Sequence, residues 1–234
     1  MRAAHIVHLR RTLGFAAGLL LVLTLRAGTI EGSVAAAGPA TGGTQSGSGS
    51  YQSRRYKFAD KIDYDTLRDF VISIDDPMPA SQDGGSPAQK PRVVQRDVDF
   101  DPHVLPIVVG TIVRWPNDDE IFHNVFSMSE AKQFDLGTYL KEKVPEVRFD
   151  KVGQVDVFCS IHSKMHCIIL VLPNPYFAKA DTSHRYVIAG VPPGTYRLKA
   201  WHERLPPQIR TVTVSADATV HVDFVLSLTS LPKY

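Results

Sequence analysis

Residues 158–167 read FCSIHSKMHC. Two cysteines, two histidines and a methionine fall within this one stretch, so it is either a metal clamp or a disulfide-closed turn. Val155 and Val157 alternate with Cys159, which places the cysteine on the same inward face at the end of a strand. His162 and Met165 follow it at the third and sixth positions, a loop short enough to wrap both side chains around one point near the sulfur. A thiolate, an imidazole and a thioether suit copper, whose electron-transfer sites use two histidines and a cysteine in a trigonal set with a long axial methionine. The second histidine must come from another strand, and His123 in NDDEIFHNVFS is the candidate. The competing disulfide, Cys159 with Cys167, would need none of His162, Met165 and FHNV at these spacings. Cys167 opens the apolar run 167–172 and reads as a small buried hydrophobe. His166 reads as a loop histidine with a ligand role as its alternative, and Met165, in phase with Ile169 and Val171, has a core role as its alternative.

Outward from this stretch the strand signals come at short intervals: VLPIVVGTIVRW, HNVFSM, EVRFDKVGQVDVFC and HCIILVL, with turns at Gly110, 117–119 and Gly153. That pattern predicts an all-β sandwich over residues 92–174. Residues 132–143 are polar and poorly periodic and read as a connection with one helical turn. Trp115 and Phe122 read as sandwich core. A second β-rich unit, 175–230, contains RYVIAG, GTYRLKAW, RTVTVSA and TVHVDFVLSL. Four short strands need partners. RDFVISIDD supplies one at 70–74, ahead of the proline- and glycine-rich PMPASQDGGSPAQKPR. The expectation is that residues 56–80 pair with 175–230 and that the first sandwich is inserted between them. No repeat of fixed period occurs.

The beginning of the chain, MRAAHIVHLRRTLGFAAGLLLVLTLRAG, sets Arg2, Arg10 and Arg11 before an apolar run at 13–25, too short for a comfortable membrane span. It reads as an export signal over 1–37, with small residues for cleavage at Ala27 and at 35–37, the latter preferred. A twin-arginine signal and an uncleaved N-terminal membrane anchor are the alternatives. The glycine- and serine-rich 38–55 reads as a flexible linker, with folded sequence from near Tyr56. Of 26 basic and 24 acidic residues, Arg2, Arg10, Arg11, Arg26 and Glu31 leave with such a signal, so 22 and 23 remain, a net charge of −1. No basic stripe interleaved with aromatics is left, which excludes nucleic acid as a partner on electrostatic grounds.

With HNV, FDKVG and the C-x2-H-x2-M loop in this order, residues 93–171 resemble the cupredoxins, the blue-copper proteins, with the short ligand loop of amicyanin-like members. The mature chain also resembles bacterial plastocyanin-like proteins of the methylamine-utilisation type, in which PNxDxxxHNVFS and NPYFA recur. The resemblance implies a Greek-key β-sandwich holding one copper through His123, Cys159, His162 and Met165. It also implies a hydrogen bond from Asn124 toward Ser160, tying ligand strand to ligand loop. SKMHC departs from the family, which usually has a proline or an aromatic residue between histidine and methionine. GVPPGTYRLKAWHERLP resembles the carboxypeptidase regulatory-like, transthyretin-like sandwich.

Haem attachment lacks its C-x-x-C-H, a hydrolase lacks a GxSxG elbow, and no H-x-H pair marks a copper oxidase or nitrite reductase centre. Zinc would prefer a tetrahedral cysteine and histidine set. His103, His184, His202 and His221 stand without ligand partners at metal spacing and read as structural. Four filled positions leave no open coordination for substrate, so the expectation is a non-enzymatic, exported one-electron carrier, periplasmic or secreted. The resemblance implies a periplasmic redox partner such as a c-type cytochrome or a dehydrogenase. The alternative is a copper-binding, copper-delivery or adhesive module of the envelope.

Overall fold

Seven consecutive buried or half-buried residues in HCIILVL, and four in VISI, mark strands covered on both faces rather than on one. A computed structural model of the protein, which describes residues 26–38, 62–78 and 90–228, shows what covers them. The strands in chain order are β1 (Gly28–Ala37), β2 (Val71–Ile74), β3 (Val94–Arg96), β4 (Asp99–Asp101), β5 (Val104–Val108), β6 (Ile112–Arg114), β7 (His123–Ser129), β8 (Lys132–Tyr139) and β9 (Glu146–Arg148). They continue with β10 (Gly153–Phe158), β11 (His166–Leu172), β12 (Phe177–Lys179), β13 (Arg185–Val191), β14 (Gly194–His202), β15 (Leu205–Val214), β16 (Thr219–His221) and β17 (Phe224–Ser227). A 3-10 turn spans Tyr64–Thr66, and no helix among the described residues is long and apolar enough to cross a membrane.

The outer sandwich is made of β1 and β2 together with β12–β17. One sheet runs β12-β2-β14-β15, and the other places β1 between β13 and the consecutive short strands β16 and β17. Ile72, Ile74, Leu198 and Ala200 from the first sheet meet Ile30, Val34, Ile188, Phe224 and Leu226 from the second in one core. β14 and β15 form a hairpin whose turn, Glu203–Arg204, lies between the paired His202 and Leu205. Because β2 pairs with β12 and β14, the strands between β2 and β12 form a separate unit inserted into the outer sandwich.

β1 corrects the expected export segment of 1–37. Residues 28–37 are a central strand whose even positions Ile30 and Val34 are fully buried, so cleavage near residue 37 would remove a wall of the outer core. Gly32 is required there: a Cβ on it would sit 2.0 Å from the Val222 carbonyl oxygen, where the chain steps from β16 to β17. Asp223 closes that step by accepting hydrogen bonds from the Ser33 amide and hydroxyl at 2.7 and 2.8 Å. The folded chain thus begins well before residue 56, and any export signal, twin-arginine motif or anchor in 1–25 lies outside the described residues.

The inserted sandwich has a five-stranded sheet, β5-β11-β10-β7-β8, facing the short pairs β3-β4 and β6-β9. Trp115, Phe149, Phe100, Val155, Val157, Cys167 and Ile169 fill its core. The expected connection at 132–143 is instead mostly β8: its alternating exposure is that of an edge strand with one face to solvent, which leaves too few apolar residues to show a strand period. Alternate residues of β11 point the other way. Ile168, Leu170 and Leu172 join Val104, Val71 and Trp201 in an apolar seam between the two sandwiches. Lys179 spans the same seam, donating to the Val104 carbonyl at 3.1 Å while paired with Asp69.

Candidate metal centre

β10 delivers the sulfur. Val155 and Val157 are fully buried and Cys159, one residue past the strand end, is buried on the same face. The loop then folds back within the space of one turn: the Met165 amide donates to the His162 carbonyl at 3.0 Å, and the Cys159 amide donates to the Met165 carbonyl at 3.4 Å. His162 is half-buried and Met165 fully buried in the same core as Cys159. His123 opens β7 and is fully buried. Its Nδ1 lies 3.0 Å from Nδ1 of His162, which is itself 3.8 Å from Cys159 Sγ. Ligand atoms of His123, Cys159 and His162 therefore all fall within 4.8 Å of one another.

Buried polar contacts hold this arrangement. Asn117 donates from Nδ2 to the carbonyls of Ile121 (2.9 Å) and Tyr139 (3.1 Å) and accepts from the Asp119 amide (2.9 Å), fixing the PNDDE loop. That loop aims Asp119 Oδ2 at His123 Nε2, 2.8 Å away. With the proton of His123 held on Nε2 by the carboxylate, Nδ1 is left with its lone pair toward His162 and Cys159. Burial pushes the Asp119 carboxyl up, but the Val98 amide, the His123 ring and the Asp97 amide together outweigh it and hold it below the ordinary carboxylate range. Asn124 accepts from the Ser160 amide at 3.3 Å through Oδ1, and donates to Asp135 at 2.7 Å through Nδ2. Its own amide donates to Cys159 Sγ at 3.5 Å.

This donor set fits one metal ion. Two imidazole nitrogens at 3.0 Å, with a sulfur at 3.8 Å, are at the separations that bonds of about 2.0–2.3 Å to a single centre span. A thiolate and two imidazoles are ligands for copper, and also for zinc.

Of the residues singled out in the sequence, the structure gathers the ring nitrogens of His123 and His162 with the sulfur of Cys159, and sets Met165 in the loop that joins them. Both cysteines are free, so the Cys159–Cys167 disulfide is absent. Cys167 pairs with Val157 across β10 and β11, and burial pushes its thiol up. Trp115 is fully buried as core, but Phe122 is 54% exposed beside the site. His166 starts β11 and turns away from Cys159, its ring stacked on Phe158 and its Nε2 3.2 Å from Asp156. His103 does have partners at ligand spacing, His166 and Glu203, contrary to the expectation of isolated histidines. Asp119 is the site residue that sequence reasoning missed; the signal was a carboxylate four positions before the histidine, in a loop read only as a turn.

Comparison with known proteins gives partial likenesses. Residues 174–222 match the family model described as polysaccharide lyase family 4, domain II, rather than the carboxypeptidase regulatory-like domain suggested by GVPPGTY. No curated protein matches the chain. Among solved structures, it is similar to a novel purple cupredoxin from Nitrosopumilus maritimus at 25% identity and a TM-score of 0.32, covering 35% of this chain and 98% of that one. A mutant amicyanin in its reduced Cu(I) form is 21% identical with a TM-score of 0.34, covering 43% of this chain and 97% of that one. A copper-containing nitrite reductase from Thermus scotoductus SA-01 is 26% identical with a TM-score of 0.34, over 36% of this chain and only 22% of the enzyme.

Proposed function

We propose that this protein is an exported, cupredoxin-type one-electron carrier, not an enzyme, with one copper per chain held by His123, Cys159, His162 and Met165. The observation that carries the reading is the convergence of two imidazole Nδ1 atoms and one cysteine sulfur within 4.8 Å, between a strand and a loop locked together by Asn124. Copper held there would supply the Cu(I)/Cu(II) couple. The protein's part is to keep its donors still, because a ligand set that does not rearrange adds little barrier to electron transfer. Asp119 fixes the tautomer and ring orientation of His123, and the Asn124 amide lies toward the cysteine sulfur. Met165, fully buried in the same core as Cys159, would supply the fourth, thioether ligand. His162 is the half-buried ligand, and Ile161 just before it and Ile121 and Phe122 just before His123 are exposed apolar side chains. That end of the sandwich is where a redox partner would dock, a periplasmic c-type cytochrome or dehydrogenase by family analogy.

The test uses a chain starting at Arg26, since a later start would remove β1. One equivalent of Cu(II) is expected to give an intense sulfur-to-copper charge-transfer band and a matching EPR signal, both lost in Cys159→Ser. A colourless protein overturns the copper–thiolate reading. A coloured one that loses Cu(I) rapidly to a competing chelator overturns the carrier role in favour of copper delivery.

A further inference from the structure

Away from Cys159, the seam between the sandwiches gathers His103, at the entry to β5, His166, at the start of β11, and Glu203, in the β14–β15 turn. One ligand atom from each lies within 4.8 Å of the others. His103 Nδ1 is 3.1 Å from the His166 carbonyl oxygen. A carbonyl only accepts, so Nδ1 carries the proton. The neutral ring then turns the Nε2 lone pair toward Glu203 Oε2, which is 3.1 Å away. Two acceptors facing each other at that distance require a cation between them or a second proton on the ring. His166 has the same division of labour: Asp156 Oδ1 takes Nε2 at 3.2 Å, leaving Nδ1 as its nitrogen free of that contact. An imidazole with one nitrogen committed to a carbonyl or carboxylate is the usual setting of a metal-binding histidine.

We propose that His103, His166 and Glu203 form a second metal site, taking a zinc-type divalent cation that clamps the inserted sandwich to the outer one. Two imidazoles and a carboxylate are a zinc ligand set that leaves a fourth position for water, and no thiolate is present to select copper. Two of the ligands come from the inserted sandwich and one from the outer, so the ion would close the polar edge of a seam that is otherwise apolar. This site is independent of the copper reading, because its ligands share no residue with the Cys159 centre.

The experiment titrates Zn2+ into the chain from Arg26 carrying Cys159→Ser and His162→Gln, with a chromophoric chelator as competitor, so that the first centre contributes no affinity. One zinc per chain is expected, weakened about ten-fold or more by either Glu203→Gln or His103→Gln. Zinc is also expected to raise the unfolding temperature of the parent and not of the Glu203→Gln variant. If the double background fails to fold, the wild-type chain loaded with one Cu(I) takes its place and should bind one additional zinc. No binding, or binding indifferent to Glu203→Gln, overturns the proposal and leaves a protonated His103–Glu203 ion pair as the whole account of the cluster.

Discussion

At the scale of single residues, the centre depends on side chains that bind nothing themselves. Asp119 accepts from the Val98 and Asp97 amides as well as meeting His123 Nε2, so it joins the β3–β4 turn to the buried His123. Asp119→Ala is expected to lower Cu(II) affinity by about ten-fold to a hundred-fold, the range for losing an outer partner of a metal-binding histidine. The metal-free chain should also lose about 1–3 kcal/mol, because Nε2 of the fully buried His123 forfeits its acceptor. Chelator competition reads the first effect and a urea melt the second. Unchanged affinity would mean that packing alone orients His123. The pairing of Cys159 with His162 was legible in the sequence because the spacing is short and chemically unusual: Cys159, His162 and Met165 recur at three-residue steps. Asp119 was not, since its role depends on Asn117 bending the loop through contacts to Ile121 and Tyr139, which no local pattern records. Nor was the His103–His166–Glu203 cluster, assembled from residues up to 100 positions apart.

At the scale of elements, the split of β1 and β2 from the rest of their sandwich makes cross-strand ties informative. Asp76, just past the end of β2, accepts from the Arg197 amide at 2.6 Å and from its Nε at 2.9 Å, binding β2 to β14. Those bonds from Arg197, the amide first, hold the Asp76 carboxyl below its ordinary value of 3.8. A carboxyl with a lowered folded pKa contributes stability that is fully present above its unfolded value and is lost as pH falls through the folded one. Asp76→Asn should therefore melt below the wild type at neutral pH, with the gap closing as the pH drops beneath 3.8. Thermal melts across the acid range check this, and a gap independent of pH would assign the effect to geometry rather than charge. Strand legibility followed burial. β2 and β11 stood out as buried runs, apolar throughout 167–172 and interrupted in β2 only by Ser73, because both their faces are covered, one by a core and one by the seam. β8 was hidden by its polar edge. β1 was hidden by composition: an alanine-rich stretch after an apolar run looks like the tail of a leader, and only its partners β13, β16 and β17 make it a strand.

At the scale of the whole molecule, two sandwiches keep separate cores with an apolar seam between them. Val71 on β2 and Trp201 on β14 face the seam, while their neighbours Ile72 and Ala200 face the outer core. On the other side, Ile168 and Leu170 face the seam while Cys167 and Ile169 line the core that also holds Cys159. A sheet that serves two interiors couples them, since losing either packing partner exposes apolar surface on the same strands. The metal-free chain is therefore expected to unfold in one calorimetric transition, and one equivalent of Cu(II) to move that transition as a whole upward. Trp201→Ala removes the largest side chain of the seam, at a cost of about 3 kcal/mol for a truncation of this kind. In that variant the single transition should divide into two, with copper raising only the one that belongs to the inserted sandwich. Two transitions already present in the wild type, only one of them sensitive to copper, would show instead that the seam is a contact between independent units and that the outer sandwich carries its insert without sensing the metal.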